Sequence, residues 1–122
     1  MKVKIDTKEK FDVITIQEQV LSANMTEELH TLLILYLEKE IKNVVLKLNE
    51  VAALDVAVAE KIANIQQAFY EKNSSFVICE LQKPVEDFLD NLKLLEVMNV
   101  TPTESEAWDI IQMEEIEREF LN

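Results

Sequence analysis

Glycine is absent from all 122 residues, and its absence excludes a good deal. Phosphate-cradling loops, dinucleotide fingerprints and the nucleophile elbow of serine hydrolases all need backbone where a Cβ would clash. Histidine and cysteine occur once each, as His30 and Cys79, so they cannot form a zinc site of the usual ligands or a redox pair. One cysteine gives no intrachain disulfide, which fits a reducing compartment. Long apolar runs are missing too. The longest starts at Leu32 and falls far short of the roughly 20 residues of a spanning helix. The opening MKVKIDTKEKF has no apolar stretch of the secretory-signal kind. Positive charge is scarce, with 12 Lys and Arg against 24 Asp and Glu and a net charge of −12. Such a field repels phosphate backbones and anionic lipid, which disfavours nucleic-acid partners and direct membrane insertion. The expectation is a cytoplasmic acidic domain with no cofactor and no metal.

What is present supports one core. An apolar fraction of 48% over this length suits a single domain, residues 1–122. Alternation predicts strands over Lys2–Asp6 and Asp12–Glu18, joined by a hairpin at Thr7–Lys10. After the Ser22-Ala23-Asn24 turn, Leu29, Leu32, Leu33, Tyr36 and Leu37 form the inner stripe of a helix from about Thr26 to Glu40. Asn43–Leu48 and Ser75–Leu81 are β-branched and apolar, as strands covered on both faces should be. Between them Val58, Ile62, Ile65 and Phe69 mark a helix to about Lys72, with Asp55 at the N-cap position. Pro84 opens a third helix lined by Val85, Phe88, Leu89, Leu92 and Leu95, and Val97–Val100 is a last short strand. Thr103 and Glu106 are spaced as a capping box for a terminal helix carrying Trp108, Ile111 and Ile116. The order β-β-α-β-α-β-α-β-α predicts an α/β layered domain with a mixed, mostly parallel sheet of about five strands and about four helices.

That order, together with NVVLKLNEVAALD (Asn43–Asp55), SSFVICEL (Ser74–Leu81), PVEDFLDNLKLL (Pro84–Leu95) and VTPTESEAW (Val100–Trp108), resembles the STAS domain. This family is shared by bacterial anti-sigma factor antagonists and the cytoplasmic tails of sulfate transporters. The resemblance implies a SpoIIAA-like fold and a non-enzymatic role in transcription regulation through a protein partner. That partner would be an anti-sigma factor or a serine kinase of the histidine-kinase-like ATPase fold. It also implies a docking face at Ser22, Asn24, Asp55, Val56, Ala57 and Val58. Antagonists of the family usually carry Ser-Ser-Gly or Ser-Thr-Gly after the aspartate, and a partner kinase phosphorylates the second hydroxyl. Here the run is Asp55-Val56-Ala57-Val58, so Ala57 stands at the acceptor position with no oxygen to modify. The glycines expected after the acceptor and near the end of the third helix are Val58 and Lys93. The alternative role is a small cytoplasmic regulatory subunit of a transport or lipid-trafficking complex.

The remaining features have plainer readings beside the functional ones. Ser22 and Asn24 suit a turn as well as a partner. Ser74 and Ser75 read as a polar loop or as substitute phosphoacceptors. Cys79 is a small core residue, and His30 a surface histidine. Glu114, Glu115, Glu117 and Glu119 read as a solvated face or as an attraction for a basic partner. Ile34 and Leu35 make the first helix apolar on a second side, which burial by the terminal helix, or a dimer or partner interface, would explain. An enzyme is disfavoured, because only Asp55 is a candidate acid or base.

Overall fold

The computed structural model describes residues 1–121. In chain order it contains β1 (Val3–Thr7), β2 (Asp12–Ile16), β3 (Val20–Leu21), α1 (Thr26–Ile34), β4 (Val44–Lys47), β5 (Ala53–Leu54), α2 (Val56–Glu71), β6 (Phe76–Cys79), α3 (Lys83–Asn91), β7 (Val100–Thr101) and α4 (Glu104–Leu121). The main sheet has the order β1-β2-β4-β6-β7. Only the β1–β2 hairpin is antiparallel. Its turn closes without glycine, through a 2.8 Å bond from the Lys8 N–H to the Phe11 carbonyl.

Alternation along the central strands divides the core in two. Ile14, Ile16, Val44, Leu46, Phe76 and Ile78 face the layer of α1, α2 and α3, where Leu29, Leu33, Val58, Ile62, Ile65, Phe69, Val85 and Leu89 cover them. Val13, Val45, Val77 and Cys79 face the other way, against Ala107 and Ile111 of α4 and Phe11. The Phe11 and Trp108 rings stack at 5.0 Å beside them. So the terminal helix lies across the sheet from α1 and cannot cover its second side. Leu35 is left 54% exposed.

Several boundaries move for local reasons. The first helix stops at Ile34 and tightens into a 3-10 turn over Leu35–Glu38, after which Lys39 is extended. The third helix ends at Asn91, so Leu92 and Leu95 pack from outside it. Val97 and Met98 are not strand. Their N–H groups turn back to the Leu94 carbonyl at 3.1 and 2.9 Å, which leaves only Val100–Thr101 to pair with β6.

The missing glycine has a visible consequence. Asn73, Glu80 and Lys93 sit at φ near +60°, the left-handed region where glycine carries no Cβ penalty. Asn73 and Lys93 each close a Schellman motif. At the end of α2, the N–H groups of Asn73 and Ser74 donate to the carbonyls of Tyr70 and Phe69. At the end of α3, those of Lys93 and Leu94 donate to Asp90 and Leu89.

Candidate functional site

β3 and β5 form a two-stranded parallel pair apart from the main sheet. The pair is held at one end by the Ala52 and Ala53 N–H groups, which share the Gln19 carbonyl at 2.7 and 3.2 Å. At the other end the Asp55 N–H donates to the Leu21 carbonyl at 3.0 Å. This pairing brings the turn before α1 beside the start of α2, two segments more than thirty residues apart in the chain.

Asp55 occupies the N-cap position of α2 with extended backbone, and its carbonyl accepts from Ala59 N–H at 3.0 Å. Its carboxylate does not cap that helix, contrary to the expectation. Oδ2 instead accepts from the Ala23 N–H at 2.7 Å, across the junction. A bond of this kind to an ionised carboxylate is stronger than a neutral one, although solvent exposure weakens this one. The turn itself is ordered from within. Ser22 Oγ donates to Asn24 Oδ1, Met25 N–H donates to the Ser22 carbonyl at 2.9 Å, and Thr26 Oγ1 donates to the Ala23 carbonyl at 3.0 Å.

The structure therefore gathers Ser22, Asn24, Asp55, Val56 and Ala57 on one surface. Ser22 is half-buried and the other four are exposed. Val58 leaves that group. It is fully buried against the core, because the third residue of α2 turns inward, so it offers a partner nothing. Three residues that the sequence reading missed join the face, Val20, which is 54% exposed, and the exposed Ala52 and Ala53, as does Ala23 of the turn. Strands of two residues carry no periodicity from which to read them. The face is shallow, with small and apolar side chains around one fixed carboxylate. Lys61 of α2 reaches Glu27 of α1 at 4.0 Å across the two helices.

The other polar residues singled out by sequence lie elsewhere. Ser74 and Ser75 are both buried, which closes them to a kinase in the folded chain. Ser75 Oγ donates to Glu114 at 2.7 Å and accepts from Arg118 at 2.7 Å, while its N–H donates to Asn43 Oδ1 at 2.9 Å. Glu114 also accepts from the Tyr70 hydroxyl at 2.8 Å, and Glu115 accepts from Asn43 at 3.1 Å. These two glutamates thus anchor α4 to the sheet, and only Glu117 and Glu119 have the solvated role expected of all four. Burial, reinforced by the bond to Glu114, pushes the Tyr70 hydroxyl up to about 12. Burial does the same to the Cys79 thiol, also up to about 12, so it is core and no nucleophile. His30 is half-buried, with an enclosed Nδ1 that has no partner among the described residues.

Among the described residues, no group of three or more His, Cys, Asp or Glu could hold a metal ion. None of the described helices is long and apolar enough to cross a membrane.

A family model described as the STAS domain matches residues 2–107. The chain belongs to the STAS domain family. No curated protein matches the sequence. Among solved structures, an anti-sigma-factor antagonist (STAS) domain protein from Planctomyces limnophilus superposes at a TM-score of 0.78 with 16% identity, covering 90% of this chain and 97% of that one. The anti-sigma factor antagonist SpoIIAA in its unphosphorylated form gives 0.71 with 12% identity, over 91% and 96% of the two chains. A murine anion transporter of the Solute Carrier 26 family gives 0.70 with 11% identity, over 85% of this chain and 18% of the transporter. At these identities the likeness is one of fold. The STAS domain described here has the antagonist-like α/β architecture, with four helices on a mostly parallel five-stranded sheet.

Proposed function

We propose that this STAS domain is a non-enzymatic protein-interaction module of the anti-sigma factor antagonist type, regulating transcription by partner binding. Its partner is an anti-sigma factor or a serine kinase of the histidine-kinase-like ATPase fold. The docking face is Ser22, Asn24, Asp55, Val56 and Ala57, with Val20 and Ala23 beside them. The observation that supports it most is the Asp55–Ala23 bond, which presents two distant segments as one preformed surface. A rigid face loses less conformational entropy on docking than two free loops would.

No hydroxyl stands at Ala57, and Ser74 and Ser75 are buried, so binding at this face proceeds without phosphorylation at the usual position. The alternative, a regulatory subunit of a transport or lipid-trafficking complex, draws on the structural likeness to the transporter's domain. A permease and ATPase encoded beside the gene favour that reading. A sigma factor and kinase there favour the first.

The test is capture of each anti-sigma factor and serine kinase of that ATPase fold encoded by the source genome. Tagged wild-type chain is expected to retain one of them. Asp55→Lys should lose it, because the charge reverses at the centre of the face and the Ala23 N–H loses its acceptor. Asp55→Asn keeps an acceptor oxygen without the charge, and is expected to retain the fold while weakening capture. Capture unchanged by Asp55→Lys would put the interface elsewhere.

A further inference from the structure

The outward side of α4 is unlike the outward sides of the other helices. Met113, Ile116 and Phe120 recur at i, i+3 and i+7 and are 56%, 52% and 85% exposed. Among the described residues nothing covers this ridge, and α4 cannot rotate to bury it. Its inner side is already committed, with Ala107 and Ile111 in the core, Glu114 bonded to Tyr70 and Ser75, and Arg118 bonded to Ser75. Turning the ridge inward would break every one of those bonds and leave the Tyr70 and Ser75 hydroxyls without their α4 partners. The ridge also lies beyond the segment that the STAS family model matches, residues 2–107, and on the face of the sheet opposite α2.

Charge selects what can cover it. The helix Glu104–Leu121 carries seven acidic residues to one basic, and Glu117 and Glu119 flank the ridge in solvent. A second copy of α4 laid against the first would bring these like charges together, and anionic lipid meets the same repulsion. Anchors at i, i+3 and i+7 on one helix face are the pattern that seats in an apolar groove. We propose that Met113, Ile116 and Phe120 form a second docking surface, which takes a protein with an apolar groove rimmed by Lys and Arg. The domain then has two independent faces, one on each side of its sheet.

Site-specific photo-crosslinking in the source cells tests this on the full chain. A benzophenone side chain is placed at Ile116, and at exposed Gln67 on α2 as the control. The expected result is one adduct from position 116 and none from 67. Its crosslinked peptide, read by mass spectrometry, should lie in an apolar groove bordered by Lys or Arg. Yield should fall about tenfold or more in Phe120→Ala, a hot-spot truncation, and again in the Glu117→Lys/Glu119→Lys double variant. All these positions are exposed, so circular dichroism should report an unchanged fold. Asp55→Lys should leave the adduct in place, which separates this surface from the docking face above. An absent adduct, an adduct to a second copy, or a crosslinked site bordered by acidic or uncharged residues overturns the proposal.

Discussion

Ala57→Ser is expected to create a phosphate acceptor at the start of α2. Incubated with ATP and the serine kinase that the wild-type chain captures, the variant should take up close to one phosphate per chain, and wild type none. Ala57 is the second residue of α2 and is exposed, so a hydroxyl there reaches solvent and a kinase active site without any movement of the core. Phosphate adds about 1.5–2 negative charges, and the first turn of a helix accommodates them. The partner faces a different sum. The new charge lies two residues from Asp55 at the same helix start, on a chain already at −12, in a contact that must exclude water. A charge clash across an interface costs several kcal/mol, so affinity should fall about a hundredfold or more. Titration of the partner with phosphorylated and unphosphorylated Ala57→Ser measures the difference. Equal affinities would mean that position 57 lies outside the interface.

Glu114→Leu is expected to lower stability by about 3 kcal/mol, or about 10 °C in Tm. The change leaves the Tyr70 and Ser75 hydroxyls without their acceptor, and each unmatched buried donor costs about 1–3 kcal/mol. The Asn99 amide still bonds Tyr70 at 2.7 Å, and Arg118 still bonds Ser75, so the network loosens without collapsing. Glu114→Gln keeps one carbonyl oxygen at the site and should recover part of the loss. Glu117→Ala, on the solvent side of the same helix, should stay within about 0.5 kcal/mol of wild type. Thermal unfolding of the three variants gives the comparison. Equal effects at 114 and 117 would return both residues to a merely solvated face.

The contrast between those two glutamates shows where sequence reading stops. The strands β4 and β6 were legible because they are continuous β-branched runs, covered on both faces as such runs must be. The helix α2 was legible because Val58, Ile62, Ile65 and Phe69 keep one face through about three turns. In α4 the periodicity is blurred by apolar side chains on two faces, Ala107 and Ile111 inside and Met113, Ile116 and Phe120 outside. A sequence cannot say which of two such stripes meets the sheet. Polar partners on neighbouring strands decide it, and they come from positions such as Tyr70 and Ser75 that are distant in the chain.

The site followed the same division. Asp55 was legible as a helix start, since a short acidic residue before an apolar helix suits that place. Where its carboxylate points was not, because the acceptor it provides serves Ala23, and only the β3–β5 pair brings Ala23 within reach. Val58 was misplaced on the docking face by the family pattern, although its spacing with Ile62, Ile65 and Phe69 already put it on the inward stripe. The absence of glycine was legible in full. The left-handed positions at Asn73 and Lys93 are occupied by residues that carry a Cβ, and the Schellman bonds hold them there.

The turn at Ser22–Asn24 and the start of α2 are proposed to act as one preformed docking face. Hydrogen–deuterium exchange of the chain, alone and with the anti-sigma factor or kinase it captures, tests this most directly. Peptides spanning residues 20–25 and 52–57 are expected to be ordered already in the free chain and to gain protection together on binding. Protection confined to other elements, with both of these segments unchanged, would contradict it.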